Sequence, residues 1–337
     1  MKNQLEKSTI KKAAELYGVN SNNLTAISEG FQNKVYSFTR NNHDYIMRVT
    51  SKDKRTFQML NEEISWIQFL KKSGVPISRA VSSKNNQFVE DIHEFFITVF
   101  EKAPGGQVQV QDSNQWTPHF FQRWGKLLAK VHHAGKQYSA GKSNTDRPYW
   151  SPNHPYNHDL FKNLPSEFIR KKYVELIEKI KAYSMDKRHF GLIHNDFHQG
   201  NFFVDKDEIT LFDFDDCAYF YFAYDISTAF YHAYWQHTSF NSTEDDFAVE
   251  FLTHFLNGYA ESNVLTNEII DQLPDFLKLR ELFLYVLFLK AWNIDKLQDW
   301  QEHTINNLKT NIENNKIYAD LDMGLLTKIK NNIQKPL

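Results

Sequence analysis

Cysteine is nearly missing from this chain: Cys217 is the only one in 337 residues. An intramolecular disulfide is therefore impossible, and a cysteine-built metal cluster is excluded. Such usage fits a reducing compartment. An excess of charge is missing too. Lysine and arginine number 39 against 41 acidic residues, a net charge of -2. That balance gives no support for nucleic-acid binding. Long hydrophobic runs are absent. The most apolar stretch, Leu282 to Leu289, has eight residues, too few to span a bilayer. The opening MKNQLEKSTIKKAAELYGV has no apolar segment suited to a secretory signal. The expectation is a cytoplasmic protein with no membrane partner.

What is present points to a sizeable core. The chain is 41% hydrophobic and 15% aromatic, with 28 Phe and 16 Tyr. Its length suits one large domain or two lobes. No linker or repeat separates the stretch from Ile226 to about residue 330 from what precedes it.

The chain is organised around residues 190 to 217, FGLIHNDFHQGNFFVDKDEITLFDFDDC. Two apolar runs, Phe190 to Ile193 and Ile209 to Phe214, read as strands. The first ends in His194, Asp196, His198 and Asn201. The second carries Asp213, Asp215 and Asp216. Phe202 to Val204 and the turn Asp205-Lys206-Asp207 read as a hairpin between them. Carboxylates and an amide thus gather at adjacent strand ends, as a divalent cation and a phosphate would require.

Phosphoryl transfer needs a carboxylate to take or orient the acceptor hydroxyl's proton, and oxygen ligands to hold magnesium against nucleotide phosphates. In His-x-Asp-x-x-x-x-Asn, Asp196 can face the hydroxyl while Asn201 faces the metal. Asp213 adds a hard anionic ligand of the kind magnesium prefers. Other readings compete. Asp and Asn near turns are commonly solvated turn formers, and Asp205 and Asp207 read that way. His194 and His198 are four apart, but zinc sites with that spacing lie on a helix with a glutamate. Here the pair sits in a loop beside Gly200 without one. His194 reads as a structural residue holding the loop. Cys217 reads as a partly buried spacer.

These motifs resemble the aminoglycoside phosphotransferase and choline kinase-like superfamily, whose members include homoserine kinase type II-like and stress-response kinase-like proteins. The family text His-Gly-Asp-x-x-x-x-Asn appears here as His194-Asn195-Asp196 through Asn201. The following Ile-Asp appears as Phe212-Asp213, trailed by Phe214-Asp215-Asp216. Asp225, in Tyr224-Asp225-Ile226, falls where the family has an Asp that buttresses the catalytic loop. The resemblance runs from about residue 20 to 300. It implies an α+β, bilobal protein-kinase-like fold with a small antiparallel-sheet lobe, residues 1–102, and a mainly helical lobe, residues 103–337.

Earlier in the chain, a helix over 4 to 17 ends at Gly18. Strands are expected at Leu24 to Ser28, Lys34 to Thr39 and His43 to Val49. The turn SEGFQNKVY has one glycine, Gly30; backbone N–H groups there can bind phosphate. The resemblance supplies a Gly-x-x-Asn-x-x-Tyr text matched by Gly30, Asn33 and Tyr36. It also implies a phosphate-binding cation on the third strand. The family often has Lys; here it is Arg48, whose fork of donors suits phosphate. The helix 56 to 72 would supply the glutamate that fixes this cation, Glu63, with Glu62 its neighbour. A strand over 94 to 101 stops at Lys102-Ala103-Pro104-Gly105-Gly106, which reads as a hinge. Adenine contacts to backbone are expected near Phe100, Glu101 and Lys102.

Helices are then expected at Pro118 to Ala134 and Ser166 to Tyr183, with a long polar loop between them. Further helices are expected at Ile226 to Trp235, Phe247 to Tyr259, Leu273 to Trp292 and Asp299 to Asn314. His132 reads as a satisfied core histidine. The reaction implied is transfer of the ATP γ-phosphate to a hydroxyl of a small molecule, with ATP and Mg2+ as cofactors. Asp196 would be the catalytic base, Asn201 and Asp213 the metal ligands, and His194 and Asp225 the supports; Asp215 is a further metal or acceptor candidate. The acidic, aromatic run DFDDCAYFYFAYD suits a cationic acceptor: an amino alcohol, homoserine, choline or an aminoglycoside. A protein Ser/Thr kinase and a catalytically silent nucleotide-binding scaffold share the same pattern. The oligomeric state is not legible.

Overall fold

The computed structural model describes residues 2–29, 33–138, 145–151, 161, 166–241 and 246–333. Gly30 lies outside them, as does most of the polar segment between 138 and 166. The fold is α+β, and backbone contacts divide it into two compact units. The first comprises Met1–Gly106, Tyr138–Arg147 and Phe202–Asp215. The second comprises Gln107–Gln137, Pro148–Asn201 and Asp216–Leu337.

The first unit is built on an antiparallel sheet. After helix α1 (Lys2–Leu16) come β1 (Thr25–Glu29), β2 (Asn33–Arg40) and β3 (His43–Ser51). Helix α2 (Phe57–Lys72) follows, then β4 (Ala80–Val81), β5 (Val89–Ile92) and β6 (Phe95–Glu101). The order is β1-β2-β3-β6-β4, with β5 also on β6. Side chains alternate across a strand, and here the alternation sorts the two faces. Met47, Val49, Ile97 and Val99 pack with Phe38, Ala13 and Tyr17 toward α1. Phe96 and Val89 pack with Leu60 and Ile64 of α2. Arg48, between Met47 and Val49, therefore points to the α2 side.

Helix α2 begins at Thr56, whose hydroxyl accepts the Met59 N–H. Its buried stripe runs Leu60, Glu63, Ile64, Ile67, Leu70 at helical spacing. Glu63 is the one charge in that stripe, with no exposed surface. Such a group must be paired, which is why Arg48 and Glu63 meet.

Strands β8 (Phe202–Asp205) and β9 (Glu208–Leu211) form the expected hairpin. It joins the first unit through bridges from Val204 to Gly106 and from Leu211 to Ile77. The strand expected to run to Phe214 ends at Leu211. Asp213 lies beyond it with φ 62°, a left-handed conformation that cannot continue a strand and that Asp tolerates.

The second unit is mainly helical. It holds α3 (Pro118–Gln137), α4 (Glu167–Ile180), β7 (Phe190–Ile193), β10 (Ala218–Tyr221) and α5 (Phe222–Phe240). These are followed by α6 (Phe247–Ala260), α7 (Asn267–Ala291), α8 (Asp299–Glu313) and α9 (Met323–Asn332). Strand β10 pairs antiparallel with β7, so the AYFY part of the acidic, aromatic run is a buried strand. Helix α5 begins at Phe222, four residues before Ile226. Helix α7 begins at Asn267, six residues before the expected Leu273, where Thr266 accepts the Ile269 N–H; Pro274 lies inside it. Helices α3 and α6 cross at two glycines. A Cβ on Gly125 would lie 1.8 Å from the Phe255 carbonyl, and one on Gly258 equally close to that of Gln122.

Candidate active site

In the first unit the basic and acidic candidates converge. Arg48 donates to both Glu63 oxygens, at 2.9 and 2.6 Å, and both side chains are buried. Glu62 serves elsewhere: it accepts from Thr145 and from the Asp146 and Arg147 backbone. Phe100 lies under the guanidinium of Arg48, its ring centre 5.1 Å away. Asp213 approaches Arg48 at 3.8 Å and is half-exposed.

Asp215 is buried and surrounded by cations. Arg55 donates to it at 3.1 Å, and Arg48 lies at 4.0 Å. Arg147 donates to its backbone carbonyl and to that of Met59. The Asn33 amide donates to Asp215 at 3.1 Å while its oxygen accepts from Thr50. Burial alone would raise the Asp215 carboxyl; the guanidiniums of Arg48, Arg55 and Arg147 outweigh it and hold it at about 2. A carboxylate so engaged is a poor anchor for a cationic acceptor. Sequence reasoning missed Arg55 and Arg147. Neither carries a local signal: a loop arginine is ordinarily solvated, and Arg147 sits in the polar segment read as an open loop.

At the end of β6, the Glu101 N–H donates to the Arg79 carbonyl and the Lys102 N–H to that of Asp44. The Glu101 side chain forms a two-pronged pair with Arg79. Among the described residues, the Ala103 N–H has no partner, and Ala103 is 6% exposed.

In the second unit, β7 delivers the loop that holds Asp196. Asp225, buried in the first turn of α5, accepts the His194 N–H at 2.9 Å and the Asn195 N–H at 2.7 Å. It also meets His132 at 3.1 Å. Burial pushes the His132 pKa down against the pull of Asp225. The ring is thus neutral, donates from Nε2 to the carboxylate and accepts at Nδ1 from Tyr259. His194 is wholly buried. Asn195 stands where the resembled family has Gly, and it has φ 72°. That left-handed conformation accounts for Gly, and Asn is among the residues that accept it best. Its amide donates to the Asp216 carbonyl.

The Asp196 carboxylate is half-buried. Arg280, on α7, donates to Oδ1 at 2.6 Å. Oδ2 receives the Asn201 amide at 3.2 Å and lies 3.3 Å from His198 Nε2. Burial would raise this carboxyl, but His198 and Arg280 hold it well below the usual carboxylate range. The Asn201 amide also donates to the Asp196 carbonyl. Two acceptors therefore fix its orientation, and its Oδ1 accepts no hydrogen bond among the described residues. That leaves a hard oxygen donor available, as a divalent cation would need. The imidazole that faces His198 is His232, stacked on it with ring centres 4.4 Å apart, rather than His194. Asp196, His198 and His232 bring ligand atoms within 4.8 Å of one another. The Arg280 guanidinium already stands among them, 2.7 Å from His232.

Residues 23–264 match the model of the phosphotransferase enzyme family. The chain belongs to that family. This phosphotransferase is 27% identical over 328 residues to an amicoumacin kinase of Bacillus subtilis, covering 95% of this chain and 96% of that protein. It is also similar to a solved amicoumacin kinase, hAmiN, in complex with AMP-PNP, Ca2+ and Ami. There the identity is 30% and the TM-score 0.85, over 93% of this chain and 94% of that one. A microcompartment-associated aminopropanol kinase shares the fold, at TM-score 0.72 and 20% identity over 90% of this chain and 94% of that one. The chain is thus an enzyme that transfers a phosphoryl group to an alcohol.

Proposed function

We propose that this phosphotransferase moves the γ-phosphate of ATP to a hydroxyl of a small, amine-bearing acceptor of the kind its relatives are named for, with amicoumacin first among the candidates. The observation that carries this reading is the environment of Asp196. It is a carboxylate held ionised at the end of β7, on a loop braced by Asp225, with the Asn201 amide oriented beside it.

Asp196 orients the acceptor hydroxyl and accepts its proton as the oxygen attacks phosphorus. In the first unit, residues 1–102 supply most of the nucleotide-binding part. Arg48, fixed by Glu63, presents its charge to the phosphates. The Ala103 N–H and the adjoining hinge carbonyls take the adenine. Residues 103–337 supply the catalytic and acceptor-binding part, apart from Tyr138–Arg147 and Phe202–Asp215, which belong to the first unit. Asn201 Oδ1 and Asp213 are the proposed ligands of Mg2+, which when bound would offset charge on the phosphates during transfer. Asp215 orders Arg48, Arg55 and Asn33 rather than binding metal or acceptor.

The test is magnesium-dependent ATP consumption against amicoumacin, amino alcohols, homoserine, choline, sugars, aminoglycosides and a generic protein. Asp196→Asn is the control. Transfer to one small-molecule acceptor, lost in the variant, supports the reading. Transfer to the protein alone replaces it with a protein kinase, and nucleotide binding with no transfer replaces it with a silent scaffold.

A further inference from the structure

Arg280 is nearly fully buried, 4% exposed, on the long helix α7. One of its terminal nitrogens donates to Asp196 Oδ1 at 2.6 Å and stands 2.7 Å from His232 Nε2. A guanidinium has donors and no acceptor. The ring nitrogen must therefore accept, so His232 is neutral and carries its proton on Nδ1. Burial and the neighbouring His198 and Arg280 push the His232 pKa well down, in the same sense. Both hydrogens of that one arginine nitrogen are thus committed, one to the carboxylate and one to the imidazole.

We propose that Arg280 is a positioning residue for phosphotransfer: bridging Asp196 and His232, it fixes the carboxylate so that Oδ2, not Oδ1, faces the acceptor hydroxyl. The torsion that orients an Asp carboxylate is soft and broad, while transfer needs the reacting oxygen within a fraction of an ångström. Without Arg280, the described residues that hold the Asp196 carboxylate are Asn201 and His198, both on Oδ2 and both from its own loop. Arg280 grips the other oxygen from a helix 84 residues away in sequence. His232 fixes Arg280 in turn from α5, so two helices define one carboxylate orientation. Lysine at this position would keep the charge and lose the planar fork.

The inference rests on Asp196 as the group that meets the acceptor, and the experiment separates the two. Steady-state transfer from ATP is measured, to amicoumacin or to whichever panel acceptor the wild type phosphorylates. The proteins are the full-length wild type, Arg280→Lys, Arg280→Met, Asp196→Asn and the double variant Arg280→Met/Asp196→Asn. Nucleotide affinity, read by fluorescence titration with AMP-PNP, reports on folding of the nucleotide-binding part. Arg280→Met is expected to lower kcat about 100-fold with the KM for ATP unchanged, and Arg280→Lys about tenfold. In the Asp196→Asn background, Arg280→Met is expected to cause no further loss, because there is no carboxylate left to position. Wild-type kcat in Arg280→Lys overturns the inference, as do losses that multiply in the double variant. If Arg280→Met fails to fold, Arg280→Lys decides alone. Full transfer by Asp196→Asn overturns the reading of Asp196 itself, and the inference with it.

Discussion

Arg48 and Glu63 form a buried, two-pronged ion pair between β3 and α2, at 2.9 and 2.6 Å. The pair sets the height and direction of the one cation on the sheet's α2 face that the phosphates are proposed to meet. Removing Glu63 leaves the buried Arg48 without its two hydrogen-bonded oxygens and facing Asp213 and Asp215 at 3.8 and 4.0 Å. Glu63→Ala is expected to cost ~3–5 kcal/mol, read by urea denaturation. Arg48→Lys keeps a charge but not the fork. Its KM for ATP should rise about tenfold, the equivalent of roughly 1.4 kcal/mol of binding, with kcat less affected. An unchanged KM would remove Arg48 from the phosphate site.

Asp225 gathers two backbone N–H groups and one imidazole on its two oxygens. Asp225→Asn retains the shape and replaces one acceptor by a donor, which then opposes a buried donor. A loss of ~1.5–3 kcal/mol is expected, together with a lower kcat, because the loop carrying Asp196 loses its brace. Denaturation and steady-state kinetics on the same preparation read both. Stability lost with kcat intact would show that the loop keeps its shape without Asp225.

Asn195 tests a backbone argument. At φ 72° a β-carbon is strained unless the side chain compensates. Asn195→Ala incurs the left-handed penalty of ~1–2 kcal/mol and loses the hydrogen bond to Asp216. Asn195→Gly loses the same side-chain bond without the left-handed penalty. The glycine variant should therefore be the more stable of the two, an order opposite to that expected in a helix or strand.

Glu281 sits on α7, 2% exposed, and accepts from Asn311 on α8. Burial pushes its carboxyl up to about 7, more than Asn311, Lys278 and Lys316 pull it down. In the folded state it therefore holds a proton that the unfolded chain has released, between the ordinary glutamate pKa of about 4.5 and about 7. Its contribution to stability is present at pH 4.5 and declines as pH rises toward 7. The deficit above pH 7 is on the order of 3 kcal/mol. Glu281→Gln should flatten this fall, so that its denaturation midpoint exceeds that of the wild type at pH 8 and matches it at pH 5.

The acidic block was legible because chemistry and punctuation coincide there: short apolar runs, then Asp and Asn at fixed spacing. The Arg48–Glu63 partnership was legible only through the family resemblance, which left two neighbouring glutamates, and the buried stripe of α2 chose between them. Arg147, Arg55 and Arg280 were not legible. Each acts 68 to 160 residues from its partner, and no local pattern marks an arginine as buried. The strand boundary at Leu211 was missed for a related reason. Phe212 and Phe214 look like strand residues, and only the left-handed turn at Asp213 shows that the strand has ended.

The first unit is assembled from three separated stretches of chain, the last ending at Asp215. During synthesis, residues 1–106 leave the ribosome carrying Arg48 and Arg55 but not the anion they enclose, and Arg147 follows some forty residues later. The sheet's α2 face can close around its charges only after Asp215 has been translated. A gene fragment cut after Gly106 therefore encodes an incomplete module, and any attempt to transplant the first unit into another enzyme must carry residues 202–215 with it.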